Sequence, residues 1–437
     1  MSSQSNIRFN AAPGGSLKGR IRVPGDKSIS HRSIMLGSLA EGVTHVSGFL
    51  EGEDALSTLK AFRAMGVKIE GPENGRVVIH GVGMHGLKPP AEPLDLGNSG
   101  TSIRLMAGLL AGQNFDVEMI GDASLSKRPM RRVTEPLALM GARIDTAEGG
   151  TPPLHLRGGS KLKGIDYTLP MASAQVKSCV LLAGLYAEGE TRITEPAPTR
   201  DHTERMLQGF GYTVERDGAT ASLVGGGKMQ ATDIDVPADI SSAGFFMVGA
   251  SIAPESDVTL EHVGINPTRT GIIDILRLMG AELEISNESV VGGEPVADIR
   301  VRSSRLQGIR IPEELVPLAI DEFPALFVAA ACAEGETVLA GAEELRVKES
   351  DRIQVMADGL VKMGIKAEPT SDGIVIQGGQ LHGAEVESHG DHRIAMSFAM
   401  AALRSDGPVI INDCANVNTS FPGFVSLAAQ AGLKISA

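Results

Sequence analysis

A glycine that recurs at the end of apolar helical patterns restricts this chain more than any other feature. It appears in Met65-Gly66-Val-Lys-Ile69, Met140-Gly141-Ala-Arg-Ile144 and Phe210-Gly211-Tyr-Thr-Val214. It returns in Met279-Gly280-Ala-Glu-Leu283, Met363-Gly364-Ile-Lys-Ala367 and Ala431-Gly432-Leu-Lys-Ile435. Successive glycines lie 75, 70, 69, 84 and 68 residues apart. Each reads as a helix C-terminus followed at once by a strand, because a residue without Cβ takes the left-handed cap conformation at no steric cost. A second register keeps step with the first. Strand, turn and helix-start patterns fall near Ser28, Gly100, Ser173, Ser241, Asp321 and Asp391, with spacings of 72, 73, 68, 80 and 70. The two registers together predict a unit of about 70 residues, with two helices and several short strands, occurring six times.

That unit is longer than a solenoid repeat of roughly 20–50 residues. Six units in 437 residues suit two domains of three. The middle falls near Val236-Pro-Ala-Asp239, and the first unit's opening strand is expected to pair with the second half. The expected domains are residues 24–237 and residues 1–23 plus 238–437, with a ligand site in the cleft between them. The fold class is α/β.

Composition narrows the function. Apolar residues make up 42% and charged residues 21%, and no run approaches the roughly 18 apolar residues of a membrane helix. The opening Met-Ser-Ser-Gln-Ser-Asn has neither a basic nor an apolar leader region, so no signal peptide is expected. Cys179, Cys332 and Cys414 are odd in number and far apart, which suggests buried thiols in a reducing compartment. A net charge of −13, with three Tyr and no Trp, opposes nucleic-acid binding. Local basic clusters in an acidic chain point to small anionic ligands. A cytoplasmic enzyme is expected.

The basic clusters sit at helix starts. Ile21 and Val23 alternate with Arg20 and Arg22 as a short strand, and Pro24 and Gly25 end it. Ser28 or Ser30 is placed to cap the next helix, and Gly42 lies where it should stop. Lys27, Ser28 and Arg32 then share one helix N-terminus, an end that favours anions through unpaired donors and its dipole. An ordinary capped helix fits this segment alone equally well; repetition of the device favours the functional reading.

Gly97-Asn98-Ser-Gly100-Thr-Ser102 opens a second helix with Arg104 near its start, and its glycines let backbone donors approach an oxyanion. Lys127, Arg128, Arg131 and Arg132 precede a helix beginning around Pro129, and arginine suits a bidentate grip on phosphate or carboxylate. Ser173, Ala174 and Gln175 enter a helix where capping and binding of a polyhydroxylated ligand are both open, and Thr199-Arg200-Asp-His202 repeats the basic entry. Lys348, Glu349 and Arg352 alternate in sign before a further helix, a surface ion-pair network or a carboxylate held among cations. Asp321 and Glu322 begin an apolar helix, as caps or as a base for a bound hydroxyl. Ser388-His-Gly-Asp-His-Arg393 heads another; its histidines have no matching ligand set, so no metal is expected. Gly81-Val-Gly-Met-His-Gly86 matches a dinucleotide fingerprint, but Pro89-Pro90 forbids the helix it requires. Gly14 to Gly19 lacks the Lys-Ser/Thr of a phosphate loop, so neither NAD nor ATP is indicated.

Five motifs in order, Pro24-Gly-Asp-Lys27-Ser28-Ile-Ser-His-Arg32, Leu96-Gly-Asn98-Ser-Gly100-Thr-Ser-Ile-Arg104, Lys127-Arg128-Pro129, Arg346-Val-Lys348-Glu349-Ser-Asp-Arg352 and Asp391-His-Arg393, carry a resemblance that runs along the whole chain. They resemble the 3-phosphoshikimate 1-carboxyvinyltransferase (5-enolpyruvylshikimate-3-phosphate synthase) family. The resemblance implies two similar domains, each of three βαβαββ units with helices inside and sheets outside. It implies transfer of an enolpyruvyl group from phosphoenolpyruvate to the 5-hydroxyl of shikimate 3-phosphate, with release of phosphate and no cofactor. Lys27 would touch both substrates. Ser28, Arg32, Ser173, Ala174, Gln175, Arg200, Asp321 and Lys348 would hold shikimate 3-phosphate. Asn98, Gly100, Arg104, Arg128, Gln175, Arg352 and Arg393 would serve phosphoenolpyruvate. Asp321 would accept the 5-hydroxyl proton, and Glu349 with Lys27 would protonate the enol methylene. A cytoplasmic monomer is expected, with no nucleic-acid or membrane partner.

Met171 to Gln175 and Pro198 to Thr203 resemble the second of the family's two sequence classes. The first class carries a lysine before the late Phe-Pro, where this chain has Thr419-Ser420-Phe421-Pro422. Gly100, in place of the alanine of some second-class members, implies sensitivity to glyphosate. The nearest alternative is UDP-N-acetylglucosamine enolpyruvyltransferase, whose reactive cysteine is missing from the loop Asp122 to Met130. A non-catalytic anion-binding repeat scaffold is the other; the presence of both Asp321 and Glu349 favours an enzyme.

Overall fold

The computed structural model describes residues 7–437; the opening six, on which the expectation of no signal peptide rests, lie outside the described residues. The chain forms two compact units. One comprises Gly25–Val236 with Val291–Glu294, and the other the described residues up to Pro24, Pro237–Val290 and Pro295–Ala437.

The first unit contains α1 (Lys27–Leu39), α2 (Glu53–Ala64), α3 (Gly100–Ala111), α4 (Arg131–Leu139), α5 (Ala174–Gly184) and α6 (His202–Gly209). α1 from Ile29, α3 from Leu105 and α5 from Val176 are buried on every side. Helices buried on every side lie within a core, and these three run through the middle of the one formed by this unit. α2, α4 and α6 each bury one face; α4 covers only Val133, Pro136 and Leu137. The sheets repeat one pattern. Leu94–Asp95 runs parallel to Val117–Ile120, which pairs antiparallel with Thr151–Arg157, followed by Arg143–Ala147. Asp166–Thr168, Glu190–Thr194, Thr220–Val224 and Glu215–Asp217 repeat it. In the third sheet Ile234–Asp235, from the end of the unit, supplies the parallel strand beside Glu41–Ser47. The unit thereby closes on its own beginning.

The second unit contains α7 (Ile240–Ile252), α8 (Gly271–Leu278), α9 (Phe323–Cys332), α10 (Arg352–Lys362), α11 (His392–Ala401) and α12 (Phe424–Ala431). α7 and α11 are buried throughout and α9 from Phe323 to Ala331, again as a three-helix core. Lys18–Ile21 runs parallel to Asp257–Leu260, and Phe9–Ala11 is an inner strand between Val409–Asn412 and Ile435–Ser436. The opening residues thus complete two sheets of the second half. The middle sheet has three strands, and its fourth position shrinks to a bridge between Arg310 and Val338.

All six tag glycines have positive φ: Gly66 +88°, Gly141 +97°, Gly211 +80°, Gly280 +92°, Gly364 +86° and Gly432 +123°. The glycine at 42 is different. α1 ends at Leu39, its last turn closed by the Ala40 N–H on Leu36 O, and Gly42 belongs to the following strand. The opening strand ends at Ile21, before Val23. The dinucleotide-like glycines also have a packing cause. A Cβ at Gly81 would lie 2.1 Å from the Ala40 carbonyl oxygen and 2.7 Å from that of Gly37, so the residue lets a strand press on the end of α1. Cys179 and Cys414 are buried, and burial pushes each thiol up to about 12. Among the described residues no helix is long and apolar enough to cross a membrane.

Candidate active site

In the first unit the candidate residues gather where α1, α3 and α5 begin. α1 is capped by Asp26, whose carboxylate accepts the Ile29 N–H at 2.9 Å, and not by either serine. An aspartate directly after Pro24-Gly25 reaches the third helical N–H, whereas Ser28 and Ser30 already lie inside the helix. The Ser30 hydroxyl instead accepts the Leu50 N–H at 3.0 Å. Lys27, the first helical residue, has its Nζ 3.2 Å from Asp54 Oδ2 on α2.

Arg32 sits one turn on. Its Nη1 donates to Ser28 O at 2.9 Å, its Nε to Thr203 Oγ1 at 2.7 Å and its Nη2 to Ser178 Oγ at 2.9 Å. All three acceptors are neutral. Burial pulls its guanidinium down to about 10; Glu204 and Asp26 oppose this, and nearby Arg200 adds to it. A buried cation held on neutral oxygens, with another cation in its field, gains from an incoming anion.

α3 is capped by Ser99, which accepts the Ser102 N–H at 3.1 Å. Two arginines converge on this end. Arg104 donates through Nη1 to Gln175 Oε1 at 2.8 Å and through Nη2 to Pro129 O at 3.2 Å, while Gln175 Nε2 reaches Thr101 Oγ1 at 3.2 Å. Arg128 Nη2 donates to Asn98 Oδ1 at 2.6 Å and to Ser124 Oγ at 3.3 Å. A Cβ on Gly100 would stand 3.0 Å from an Nη1 of each arginine, so the glycine leaves the space between them open. Ser173, which precedes Ala174, is the cap of α5, accepting the Val176 N–H at 3.4 Å. Of the basic run, Arg128 reaches this end, whereas Arg131 starts α4 two residues later than expected and lies along Gly150.

The second unit presents a tighter cluster at the starts of α9, α10 and α11. Arg352, 1% exposed, is bonded to three carboxylates. Its Nε donates to Asp391 Oδ2 at 2.8 Å, its Nη2 to Glu349 Oε2 at 2.6 Å and its Nη1 to Asp321 Oδ1 at 3.3 Å. Burial would lower the guanidinium; Asp391, Glu349 and Asp321 outweigh it and hold Arg352 above its ordinary value. Lys348 Nζ bonds Glu344 Oε1 at 2.6 Å and stands 3.8 Å from Asp321 Oδ1. Asp391 also caps α11 through the Arg393 N–H at 2.9 Å and accepts the Ser350 hydroxyl at 3.0 Å. Of the acid pair, Asp321 faces these cations, while Glu322 accepts the Ser241 hydroxyl; neither side chain caps α9. His392 Nε2 lies 3.2 Å from the Ser420 hydroxyl, and among the described residues no three His, Cys, Asp or Glu are grouped to hold a metal.

Asp391, Asp54, Asp122, Thr101, Ser178 and Thr203 escape a reading of the sequence. Asp391 was legible as a helix start but not as the partner of Arg352. The two threonines and the serine look like ordinary helix residues until their neighbours are known.

Six repeats sorted into two α/β units, each starting its buried helices among arginines and carboxylates, define the enolpyruvyl transferase class of fold. The family model for EPSP synthase (3-phosphoshikimate 1-carboxyvinyltransferase) matches residues 11–427. A 3-phosphoshikimate 1-carboxyvinyltransferase of Nitrosococcus oceani is 71% identical over 433 residues, covering 99% of this chain and 98% of that protein. One from Methylococcus capsulatus is 72% identical over 430 residues, covering 98% of each. A solved EPSP synthase from Acinetobacter baumannii superposes with a TM-score of 0.89 at 64% identity, covering 99% of both chains. The chain belongs to the EPSP synthase (3-phosphoshikimate 1-carboxyvinyltransferase) family.

Proposed function

We propose that the charged helix starts of both units act on one pair of substrates in the family's reaction. That reaction transfers the enolpyruvyl group of phosphoenolpyruvate to the 5-hydroxyl of shikimate 3-phosphate and releases phosphate, a step of the shikimate pathway. The observation that carries the assignment of residues is the pairing of two kinds of group. Arg104 and Arg128 converge beside Gly100 in one unit, and Asp321 and Glu349 share Arg352 in the other.

Phosphoenolpyruvate carries a phosphate and a carboxylate, which suit guanidinium groups at a helix start. In this reading Arg104, Arg128, Arg352 and Arg393 bind it, with Asn98 and Gly100 lining the space. Lys27, Ser28, Arg32, Ser173, Ala174, Gln175, Arg200 and Lys348 hold shikimate 3-phosphate. Glu349, with Lys27, delivers a proton to the methylene carbon, which places positive charge on the adjacent carbon. The 5-hydroxyl oxygen attacks that carbon while Asp321 takes its proton. The carbon–oxygen bond to phosphate then breaks, phosphate leaves, and Glu349 takes a proton back from the new methyl group to restore the double bond. The chain is inferred to work as a cytoplasmic monomer; three cysteines without a disulfide support a reducing compartment.

Phosphate release from phosphoenolpyruvate tests the acceptor. Release is expected with shikimate 3-phosphate and not with UDP-N-acetylglucosamine; the reverse would overturn the assignment. Gly100 offers a second test. A methyl there would press on Arg104 and Arg128 at 3.0 Å. Gly100→Ala is expected to weaken glyphosate inhibition about 10-fold or more, equivalent to roughly 1.4 kcal/mol of binding. Inhibition unchanged by the substitution would show that glyphosate does not occupy this space.

A further inference from the structure

We infer that Asp122 is a positioning residue for phosphoenolpyruvate: it fixes the orientation of the Asn98 amide, and through it the hold on Arg128. The inference deepens the proposed function and rests on Arg128 binding that substrate.

Asp122 fastens two loops together. Its N–H donates to Gly97 O at 2.9 Å, and its Oδ1 accepts the N–H groups of Ser124 and Leu125 at 2.9 and 2.8 Å. Its second oxygen, Oδ2, accepts from Asn98 Nδ2 at 2.7 Å. The other end of that amide, Oδ1, accepts from Arg128 Nη2 at 2.6 Å. An amide has one donating and one accepting end, and an ionised carboxylate only accepts. Chemistry therefore settles which way Asn98 points. Turned over, it would set oxygen against the carboxylate and N–H groups against the guanidinium, both repulsive. Asn98 is thus a neutral link through which a carboxylate steers Arg128 without itself sitting on the guanidinium.

Asp122→Asn separates this role from loop fastening. An amide oxygen at Oδ1 still accepts from Ser124 and Leu125, so the loop keeps its bonds. Its nitrogen, however, meets the Asn98 nitrogen, and Asn98 must turn its donors toward Arg128. Losing that charge-assisted bond is expected to raise KM for phosphoenolpyruvate about 10- to 100-fold. KM for shikimate 3-phosphate and kcat should stay within about twofold of wild type, a factor worth roughly 0.4 kcal/mol. Asp122→Ala, which also removes the loop bonds, should add a fall in Tm. An Asp122→Asn variant with both KM values unchanged, or raised by one common factor, would overturn the inference. So would an effect on Tm alone. The wild-type rate with both substrates tests the reading of function, and the ratio of the two KM values tests Asp122, so the two fail separately.

Discussion

Glu349→Gln is expected to lower kcat about 10²–10⁴-fold, the usual worth of a positioned acid–base group. KM for both substrates should move little. The amide preserves the shape of the side chain and can still present its oxygen to Arg352 Nη2, which Glu349 bonds at 2.6 Å. It cannot carry a proton to carbon. The substitution therefore removes one chemical capacity and leaves the local packing in place. Rapid-quench measurement of phosphate release would locate the loss in the chemical step. A kcat within about threefold of wild type would remove Glu349 from proton transfer.

Arg352→Met is expected to cost about 3–5 kcal/mol of stability, the usual penalty for removing one partner of a buried ion cluster. The cation is 1% exposed and Asp391 is fully buried. Without the guanidinium, Asp391, Glu349 and Asp321 lose the cation they share at the starts of three helices. Methionine fills much of the volume but offers no donor. Because Arg352 is held above its ordinary value, the stabilising charge is fully present below the ordinary arginine range and is lost only as pH rises through the still higher folded value. The deficit of the variant should therefore persist across the whole neutral range. Urea unfolding at pH 6, 7 and 8 would check it. A loss below about 1 kcal/mol would mean that the cluster contributes no more than a surface pair.

The repeat was legible because its signals are local. A glycine of positive φ after an apolar helical run declares itself within five residues, and all six do so, four of them after a methionine. Helix starts were legible for the same reason, since Ser173, Asp351 and Asp391 each cap a helix within their own motif. What escaped depends on residues far apart in the chain. Arg32 is held by Thr203 across 171 positions and by Ser178 across 146, and nothing local to either residue marks the pairing. The cap of α1 shows a local limit. Asp26, Ser28 and Ser30 are all competent caps by type, and backbone geometry, not residue preference, selected the aspartate. The four cations from Lys127 to Arg132 looked equivalent, yet only Arg128 bonds Asn98.

The strand Phe9–Ala11 carries a consequence for how the chain is made. It is an inner strand of a sheet whose neighbour Val409–Asn412 leaves the ribosome about 400 residues later. At roughly 5–20 residues per second, that is a wait of about 20–80 seconds. Residues 25–236 can assemble during this interval, because their three sheets draw every strand from that stretch. The first of the described strands is thus among the last of them to be placed. Its short, polar-flanked sequence, Arg8-Phe9-Asn10-Ala11, leaves little sticky edge to be captured by another nascent chain meanwhile.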